Sequence, residues 1–336
     1  PQEIITEHIR RKIKVINTDT EVFESFVNGE RSVRNDYRGR AIFELFQNAV
    51  DKAESNVWIS LDKANKTLTV ANDGKPVSIY SLNNDEPRSD FHALCSINTS
   101  NKEVGKSIGN KGVGFKSIWE FTNKVEIRSH HQEQPWAFLL HYPFTLNKLE
   151  DWEDAILAKE IHEAFKHSNL DVNAKAPSFF FPQYKAISQD NLTNKNAATE
   201  IVLSDLTDEA MSAIEKKLEA FSKQNLLFVS EILIGSTSKS EKVELNLSWA
   251  GDTVNKNLYP DTDWMVLRPV LAPVMPEIIS HCKVLDREKK RPKKTVNLDS
   301  LLDNKGSYLV LGRDKSGKTS LLKKNPTRTP TRFFSS

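Results

Sequence analysis

The stretch that decides the fold is Arg40-Ala-Ile-Phe-Glu-Leu-Phe-Gln-Asn-Ala-Val-Asp-Lys-Ala53, or RAIFELFQNAVDKA. Its apolar residues recur with a helical period, which predicts a helix over residues 36–53. Glu44, Asn48 and Asp51 are spaced i, i+4 and i+7, so they share one face of that helix. An acid, an amide and a second acid on one face can hold a divalent cation and orient a water molecule. An ordinary solvated polar face has the same pattern.

A second polar feature ends the hairpin that follows. The alternating runs at 57–61 and 68–71 flank the turn sequence KANK and predict two antiparallel strands. The second strand leads into Asn72-Asp73-Gly74, a sequence that is typical of a simple turn. Residues 78–107 are polar and lack strong periodicity, which predicts a long loop of the kind that often carries function.

A glycine cluster then precedes the apolar run 115–121, which predicts a helix. Its sequence, from Gly109 to Ser117, is GNKGVGFKS. Glycines allow the backbone to approach phosphate groups, and the start of a helix offers unpaired N–H groups. A dinucleotide-binding fingerprint has similar glycines, but no strand leads directly into this cluster and no βαβ unit surrounds it.

The order of these parts resembles the GHKL superfamily of ATPases, which includes gyrase B, the heat-shock chaperone ATPases, histidine kinases and MutL. The phrases RGRAIFELFQNAVDKA and SIGNKGVGFKSIWEF are most similar to the heat-shock-chaperone branch, and especially to the sacsin-like and MORC-like ATPase domains. The resemblance covers residues 36–120 and returns at ATEIVL, residues 198–203. It implies an α+β fold, the Bergerat α/β sandwich, in which helices cover a mixed, mostly antiparallel sheet.

The resemblance also implies ATP and Mg²⁺ as cofactors and a role for each matching residue. Glu44 matches the general base, Asn48 the magnesium ligand, and Asp51 a residue that holds the pocket wall or, through a water molecule, the base. Thr199 matches a threonine that supports the base of the nucleotide. The phosphate-binding loop is matched by Gly109, Lys111, Gly112, Val113, Gly114 and Phe115, and lid residues near the γ-phosphate by Ser100 and Lys102.

The turn after the second strand departs from the family pattern. Asn72 stands where the family has its adenine-binding aspartate, and Pro76 stands where a second glycine is usual. A carboxylate only accepts hydrogen bonds and so selects the adenine amino group, whereas an amide both accepts and donates. We therefore expect adenine to be enforced more weakly, through Asn72 and Gly74, or through Asp73 if the turn shifts by one residue.

A second phosphate-loop pattern stands near the end of the chain. Residues 312–319, GRDKSGKT, follow the strand-like YLVL and match the P-loop motif GxxxxGK[ST]. In that motif the glycines Gly312 and Gly317 shape the loop, Lys318 reaches the phosphates and Thr319 binds a second magnesium. The tail after Thr319 is too short for a P-loop domain, so we expect an incomplete module. The combination resembles bacterial anti-phage ATPases with a STAND-like or NACHT-like module.

The remaining patterns predict further elements and a domain plan. Helices are expected near 4–15, 21–27, 151–165 and 208–222, strands at 124–128, 136–141, 199–203, 230–234 and 243–247, and a loop at 167–198. The predicted domains are an ATP-binding domain at 1–205, a second α/β, transducer-like segment at 206–286, a linker at 287–304 that begins with a basic run, and a P-loop start at 305–336.

Composition excludes several classes of protein. The formal net charge is +2, which is too small to indicate nucleic-acid binding. No apolar stretch is long enough for a membrane span. Cys95 and Cys282 are far apart in sequence, which fits a reducing cytoplasm better than a disulfide framework.

Three functional hypotheses follow. The leading one is an ATPase that acts as a conformational switch, forms an ATP-dependent homodimer or higher homo-oligomer, and serves a bacterial defence protein that responds to a phage or protein trigger. The alternative is a nucleotide sensor without hydrolysis or a chaperone-like ATPase scaffold. A histidine kinase is disfavoured, because His8 is too close to the pocket motifs for a phosphoacceptor hairpin.

Overall fold

The computed structural model describes residues 1–36, 39–82, 88–96, 114–171, 173–223, 226 and 243–258, together with four further strands. The chain divides into two compact units, residues 1–224 with 240–258 and residues 225–239 with 259–336. The first unit combines a large sheet with helices, which confirms the predicted α+β class. None of the described helices has the length and hydropathy to cross a membrane.

The first unit contains the following elements. Its α-helices are α1 (Gln2–Thr18), α2 (Thr20–Asp36), α3 (Ala41–Lys52), α4 (Asp90–Leu94), α5 (Ala155–His167) and α6 (Asp208–Lys223). Its 3-10 helices are η1 (Gly114–Glu120), η2 (Leu146–Leu149), η3 (Ser178–Phe180) and η4 (Gln189–Asn191). Its strands are β1 (Asn56–Asp62), β2 (Thr67–Asn72), β3 (Lys124–His131), β4 (Gln134–His141), β5 (Gln183–Ala186), β6 (Thr199–Ser204), β7 (Glu244–Trp249) and β8 (Asp252–Asn257).

The eight strands form one mixed sheet in the order β5-β4-β3-β6-β2-β1-β7-β8. Every neighbouring pair is antiparallel except β1 and β7, which are parallel. Alternate residues of β1, namely Val57, Ile59 and Leu61, are buried, which is the pattern of a strand with one face in the core. Helix α3 packs on β1 and β2, and α6 packs on β1 and β7. The sheet thus forms the surface on which α3 packs.

A second part of the core lies among α1, α2, α5 and η3. Phe23 and Phe26 of α2 make edge-to-face contacts with Phe180. One turn further on, Glu30 is 1% exposed and accepts a hydrogen bond from the Ser178 amide at 2.9 Å. These contacts extend α2 to Asp36, so the prediction of a short helix at 21–27 was wrong in length. The next helix therefore begins at Ala41 and not at residue 36, as the sequence predicted.

The predicted domain boundary at residue 205 does not coincide with the division of the chain into two compact units. Helix α6 packs against β1 and β7, and β7 pairs with β1 through six residue pairs from Asn56↔Glu244 to Leu61↔Trp249. The 206–286 segment is therefore split, and its residues 206–224 and 240–258 belong to the first unit. The pairing joins residues far apart in sequence, which local patterns do not reveal.

Several segments that were predicted as loops contain regular structure. Helix α4 lies within the 78–107 segment, and Ser89 caps it by accepting a hydrogen bond from the His92 amide at 3.4 Å. The 167–198 segment contains η3, β5 and η4. Helix α5 begins at Ala155 because Asp154 caps it through the Leu157 amide at 2.9 Å. The apolar run after the glycine cluster is a 3-10 helix, η1.

The second unit is described only through four strands, β9 (Met265–Pro269), β10 (His281–Asp286), β11 (Arg291–Asn297) and β12 (Tyr308–Val310). They form a sheet in the order β11-β10-β9-β12, in which β12 is parallel to β9. The strand before the P-loop pattern is thus confirmed as β12. Within the predicted linker at 287–304, β11 pairs with β10. The expected strand at 230–234 lies outside the described residues.

Candidate nucleotide site

The polar face of α3 is only partly covered. Glu44, Asn48 and Asp51 are half-buried, whereas Leu45 and Ala49 on the neighbouring stripe are buried against the sheet. The helix ends at Lys52, and the backbone of Ala53 is already extended. The side chains that the sequence assigns to catalysis and metal binding therefore lie on the side of α3 that faces away from the core.

Glu44 lies directly against the backbone of Gly114. A Cβ atom at residue 114 would lie 3.0 Å from Glu44 Cγ and closer still to its carboxylate group. The Ser117 hydroxyl donates a hydrogen bond to the Gly114 carbonyl at 2.6 Å, and Phe115 is buried. The structure thus brings together the predicted base and the last glycine of the predicted phosphate loop, seventy residues apart in sequence.

The end of η1 is also joined to the start of α3. Glu120 accepts a hydrogen bond from the Gly39 amide at 2.5 Å. Gly39 has a φ of +82°, a conformation that glycine adopts without strain. Glu120 and Gly114 therefore hold η1 against α3 at two points.

Gly74 packs against the other end of α3. A Cβ atom there would lie 2.7 Å from the Glu54 nitrogen and 2.8 Å from the Ala53 carbonyl carbon, and closer still to the Lys52 oxygen. The Lys75 amide donates to the same Lys52 oxygen at 3.1 Å. Because all these atoms belong to the backbone, no side chain can be accommodated, and the turn after β2 is fixed relative to α3.

Asp73 is occupied by the connection between α3 and β1. Its Oδ1 accepts hydrogen bonds from the amides of Glu54 and Ser55, each at 3.0 Å, and its Oδ2 accepts one from Asn56 Nδ2 at 3.0 Å. Burial opposes ionisation, but these hydrogen bonds outweigh it and lower the pKa of Asp73. The Asp73 carboxylate is thus committed within the protein.

Asn72 lies in a row of polar residues across three strands. It pairs with Thr199 on β6, and Thr199 pairs with Ser129 on β3, so the three side chains share one face of the sheet. Asn72 is 4% exposed, and its Oδ1 accepts a hydrogen bond from the Gly74 amide at 3.3 Å. Ser129 is a site residue that our sequence reading missed; its place in the buried alternation of β3, after Val125 and Ile127, was the available signal.

A network beside α3 holds the segment after the turn. Lys52 forms an ion pair with Asp90 at 2.9 Å. Asp90 also accepts hydrogen bonds from the Ser78 amide and hydroxyl, at 3.1 and 3.0 Å. The Asp90 amide donates back to the Ser78 hydroxyl at 2.9 Å. The ion pair with Lys52 therefore joins α4 to the end of α3. The hydrogen bonds with Ser78 join α4 to the segment after the turn.

Lys116 of η1 is fully buried, at 1% exposure. Its Nζ donates a hydrogen bond to the Leu94 carbonyl at the end of α4 and lies 5.6 Å from the centroid of the Phe179 ring. Burial lowers the pKa of Lys116, while Cys95 and Glu30 oppose that shift. Burial raises the pKa of Glu30, and its hydrogen bonds with Ser178 oppose that shift. The Lys116 hydrogen bond thus joins η1 to the end of α4, and Glu30 is bound to Ser178.

The remaining predicted site residues lie outside the described residues. They are Ser100, Lys102, Gly109, Lys111, Gly112 and Val113 of the first constellation, and Gly312, Gly317, Lys318 and Thr319 of the P-loop pattern.

A cavity of about 30 Å³ between α1 and α5 is separate from this site. It is lined in part by Ile5, Trp152 and Leu157, and Trp152 Nε1 is buried without a hydrogen-bond partner among the described residues. A cavity of this volume holds one or two water molecules, which is far too small for a nucleotide.

Comparison with known proteins finds a distant likeness. No family model matches the chain, and no curated protein matches it. Among solved structures, it is similar to the ATPase region of topoisomerase II from Saccharomyces cerevisiae, at 13% identity and a TM-score of 0.34, with 64% of this chain and 48% of that chain covered. The same region bound to ICRF-187 (dexrazoxane) matches at 12% identity, with the same TM-score and the same shares.

The chain therefore spans about half the length of the solved structures that it matches.

Proposed function

We propose that this chain is a GHKL-type ATPase that binds ATP and Mg²⁺ over the polar face of α3. The observation that carries this proposal is the contact between Glu44 and Gly114, since it joins the acid of the helix to the end of the glycine loop. A second support is the row formed by Asn72, Thr199 and Ser129 at the end of β2. An ordinary solvated helix face would require neither arrangement.

Each part of the site has a chemical task in this proposal. Glu44 accepts a proton from the attacking water, as a positioned carboxylate does in general base catalysis. Asn48 supplies an amide oxygen to Mg²⁺, which prefers oxygen ligands and binds proteins through few groups besides phosphate and water. The backbone from Gly109 to Phe115 donates N–H groups to the phosphates. Asp51 supports the pocket wall.

The finer points of the proposal rest on the sequence resemblance. The domain is of the sacsin-like or MORC-like kind, and Ser100 and Lys102 act near the γ-phosphate. Binding of ATP favours one conformation and hydrolysis releases it, so that nucleotide binding shifts a population. ATP promotes a homodimer or higher homo-oligomer. The chain is the sensor part of a cytoplasmic bacterial defence protein with a P-loop module around Lys318 and Thr319, triggered by a phage or protein.

A second candidate function is nucleotide sensing without turnover. Asn72 favours it, because a neutral amide at this position recognises the base differently from a carboxylate. In that case Asn48→Ala still weakens nucleotide binding, but the wild-type chain releases phosphate no faster than the Asn48→Ala variant. A chaperone-like ATPase scaffold would use the same nucleotide site as the leading proposal and would differ only in the protein on which it acts.

Steady-state phosphate release tests the proposal. We expect Glu44→Gln to lower kcat by about 10²- to 10⁴-fold and to leave nucleotide affinity nearly unchanged, since it removes the base and keeps the shape. Glu24→Gln, on the exposed face of α2, is the matched control and should be silent. If Lys318→Ala abolishes turnover and Glu44→Gln does not, the activity belongs to the P-loop and the proposal is wrong.

A further inference from the structure

We propose that Ser129 is a positioning residue of the nucleotide site, which fixes residues 75–77 across the strand ends and so shapes the part of the site that receives the base. The inference rests on the proposed function, because it assumes that ATP binds over α3. It concerns the base side, whereas the proposed function is carried by the contact between Glu44 and Gly114. The two claims are therefore open to separate tests.

One face of the sheet changes from apolar to polar at its end. Cross-strand pairs along β1, β2, β6 and β3 arrange the residues of this face in rows. Two rows are aliphatic, one with Leu61, Leu68, Leu203 and Val125, the other with Ile59, Val70, Ile201 and Ile127. The next row is Val57, Asn72, Thr199 and Ser129, and its three polar members are at most 8% exposed. Because a buried polar group is costly unless it is hydrogen-bonded, this row depends on polar partners.

The Ser129 hydroxyl joins two other segments to β3. It accepts a hydrogen bond from the Val77 amide at 2.8 Å. It lies 3.0 Å from the Ala198 carbonyl oxygen, to which it donates, and 3.2 Å from the Thr199 hydroxyl, where either group can be the donor. The Val77 contact has only one polarity, because a backbone amide can only donate. Whichever hydroxyl donates beside it, Ser129 is the acceptor for Val77.

These contacts set the path of the chain after the turn. The Thr199 hydroxyl on β6 donates to the Lys75 carbonyl at 3.5 Å, and Ser129 on β3 binds Val77. Since β6 lies between β2 and β3, residues 75–77 run across the strand ends from β2 toward β3. Lys75 and Pro76 are exposed along this path, whereas Val77 is buried.

Pro76 makes the contact at Val77 the necessary anchor. The segment starts at a fixed point, because the Lys75 amide donates to the Lys52 carbonyl at the end of α3. Proline has no N–H group, so the next backbone donor is that of Val77, and it binds Ser129. Residues 75–77 are thus held at both ends beside Asn72. A base that binds there would meet a wall whose position Ser129 fixes.

Equilibrium titration with two triphosphates that differ in the presence of a base provides the test. The probes are a non-hydrolysable ATP analogue and ribose 5-triphosphate, each with Mg²⁺, in a Lys318→Ala background that silences the P-loop pattern. We expect Ser129→Ala to weaken the ATP analogue on the order of tenfold, which corresponds to one hydrogen bond left unmade. Ribose 5-triphosphate, which has the phosphates but no base, should lose less than about twofold.

Two variants separate positioning from a general loss of stability. Ser129→Thr keeps the hydroxyl on a strand that favours a β-branched residue, and it should retain most of the affinity for the ATP analogue. Ser168→Ala is the matched control, because its hydroxyl donates to the Ile16 carbonyl at 3.0 Å and joins the end of α5 to α1. It should lower the midpoint in urea and leave both affinities unchanged.

The outcomes distinguish the two claims. Wild-type affinity for the ATP analogue in Ser129→Ala, equal losses for both probes, or a loss in Ser129→Thr as large as in Ser129→Ala overturns the positioning role and leaves the ATPase proposal standing. Failure of the unsubstituted site to bind either probe overturns the proposed function itself. If Ser129→Ala lacks a cooperative thermal transition, Ser129→Cys takes its place with the same expectations, since a thiol is only a weak acceptor.

Discussion

Gly114→Ala is the perturbation that most specifically addresses the contact between Glu44 and the glycine loop. The added methyl group would lie 3.0 Å from Glu44 Cγ and would overlap the carboxylate. The obstructing atoms are the end of a flexible side chain, so Glu44 can turn away at small cost to the fold. We therefore expect the free energy of unfolding to change by less than about 1 kcal/mol, as is common for changes without a packed backbone clash.

The effect on turnover should be much larger. A catalytic group displaced by about 1 Å typically loses on the order of 10²-fold in rate. That factor corresponds to about 2.7 kcal/mol of transition-state stabilisation. Because the methyl group acts through Glu44, it should cost nothing further once Glu44 is already disabled, so the two substitutions should be strongly non-additive.

The assay is a double-mutant cycle on phosphate release. Wild type, Gly114→Ala, Glu44→Gln and the double variant are compared for kcat, and urea unfolding is recorded for each. The expected result is a loss of roughly 10²-fold for Gly114→Ala alone and no additional loss in the Glu44→Gln background. Wild-type turnover in Gly114→Ala, or losses that multiply in the double variant, would refute the claim that this contact positions the base.

Three further predictions concern stability. Gly74→Ala should lower the free energy of unfolding by about 1–3 kcal/mol in urea melts, because its Cβ meets backbone atoms that cannot turn away; a wild-type midpoint would contradict the packing of this turn. Burial, then Lys12, lower the pKa of His8 from 6.5 to about 3. The unfolded chain therefore binds a proton below pH 6.5 that the folded chain refuses, and stability should fall by about 1.4 kcal/mol for each pH unit between 6.5 and 4.5. Burial also lowers the pKa values of His92 and His141 to about 4, and both add to the slope in the same direction. His8→Gln should therefore reduce the slope by its own share of about 1.4 kcal/mol per pH unit in melts recorded across this range, and an unchanged slope would assign the acid sensitivity elsewhere. Lys116→Met should lower the free energy of unfolding by about 1–3 kcal/mol, because it removes the hydrogen bond from the buried Nζ to the Leu94 carbonyl; a wild-type midpoint in urea would contradict this role for Lys116.

Local periodicity is sufficient to predict much of this fold. The helical period of α3 and the alternation in β1 and β2 are set by residues adjacent in sequence. The same holds for α1, α6, β3, β4 and β6. The length of α2 was underestimated because Phe26 and Glu30 extend it through partners at residues 178–180. The parallel pairing of β1 with β7 joins residues nearly two hundred positions apart, so no local pattern indicates it.

The candidate site shows the same division. Residue types and spacing single out Glu44, Asn48 and the glycine cluster, but only the three-dimensional structure places Glu44 against Gly114. The sequence left Asn72 and Asp73 as alternatives, because both are polar residues at a turn. Their hydrogen bonds separate them: Asp73 is bound to residues 54–56, and Asn72 stands beside Thr199. Ser129 was overlooked although it continues the buried alternation of β3, because that alternation indicates burial and gives no functional role until the cross-strand partner is known.

Calorimetric titration of the chain with a non-hydrolysable nucleoside triphosphate tests the central claim most directly. The account predicts saturable binding that requires Mg²⁺, is lost in Asn48→Ala and persists in Lys318→Ala. Absence of binding, or binding that Lys318→Ala abolishes and Asn48→Ala leaves intact, would contradict a nucleotide site over α3.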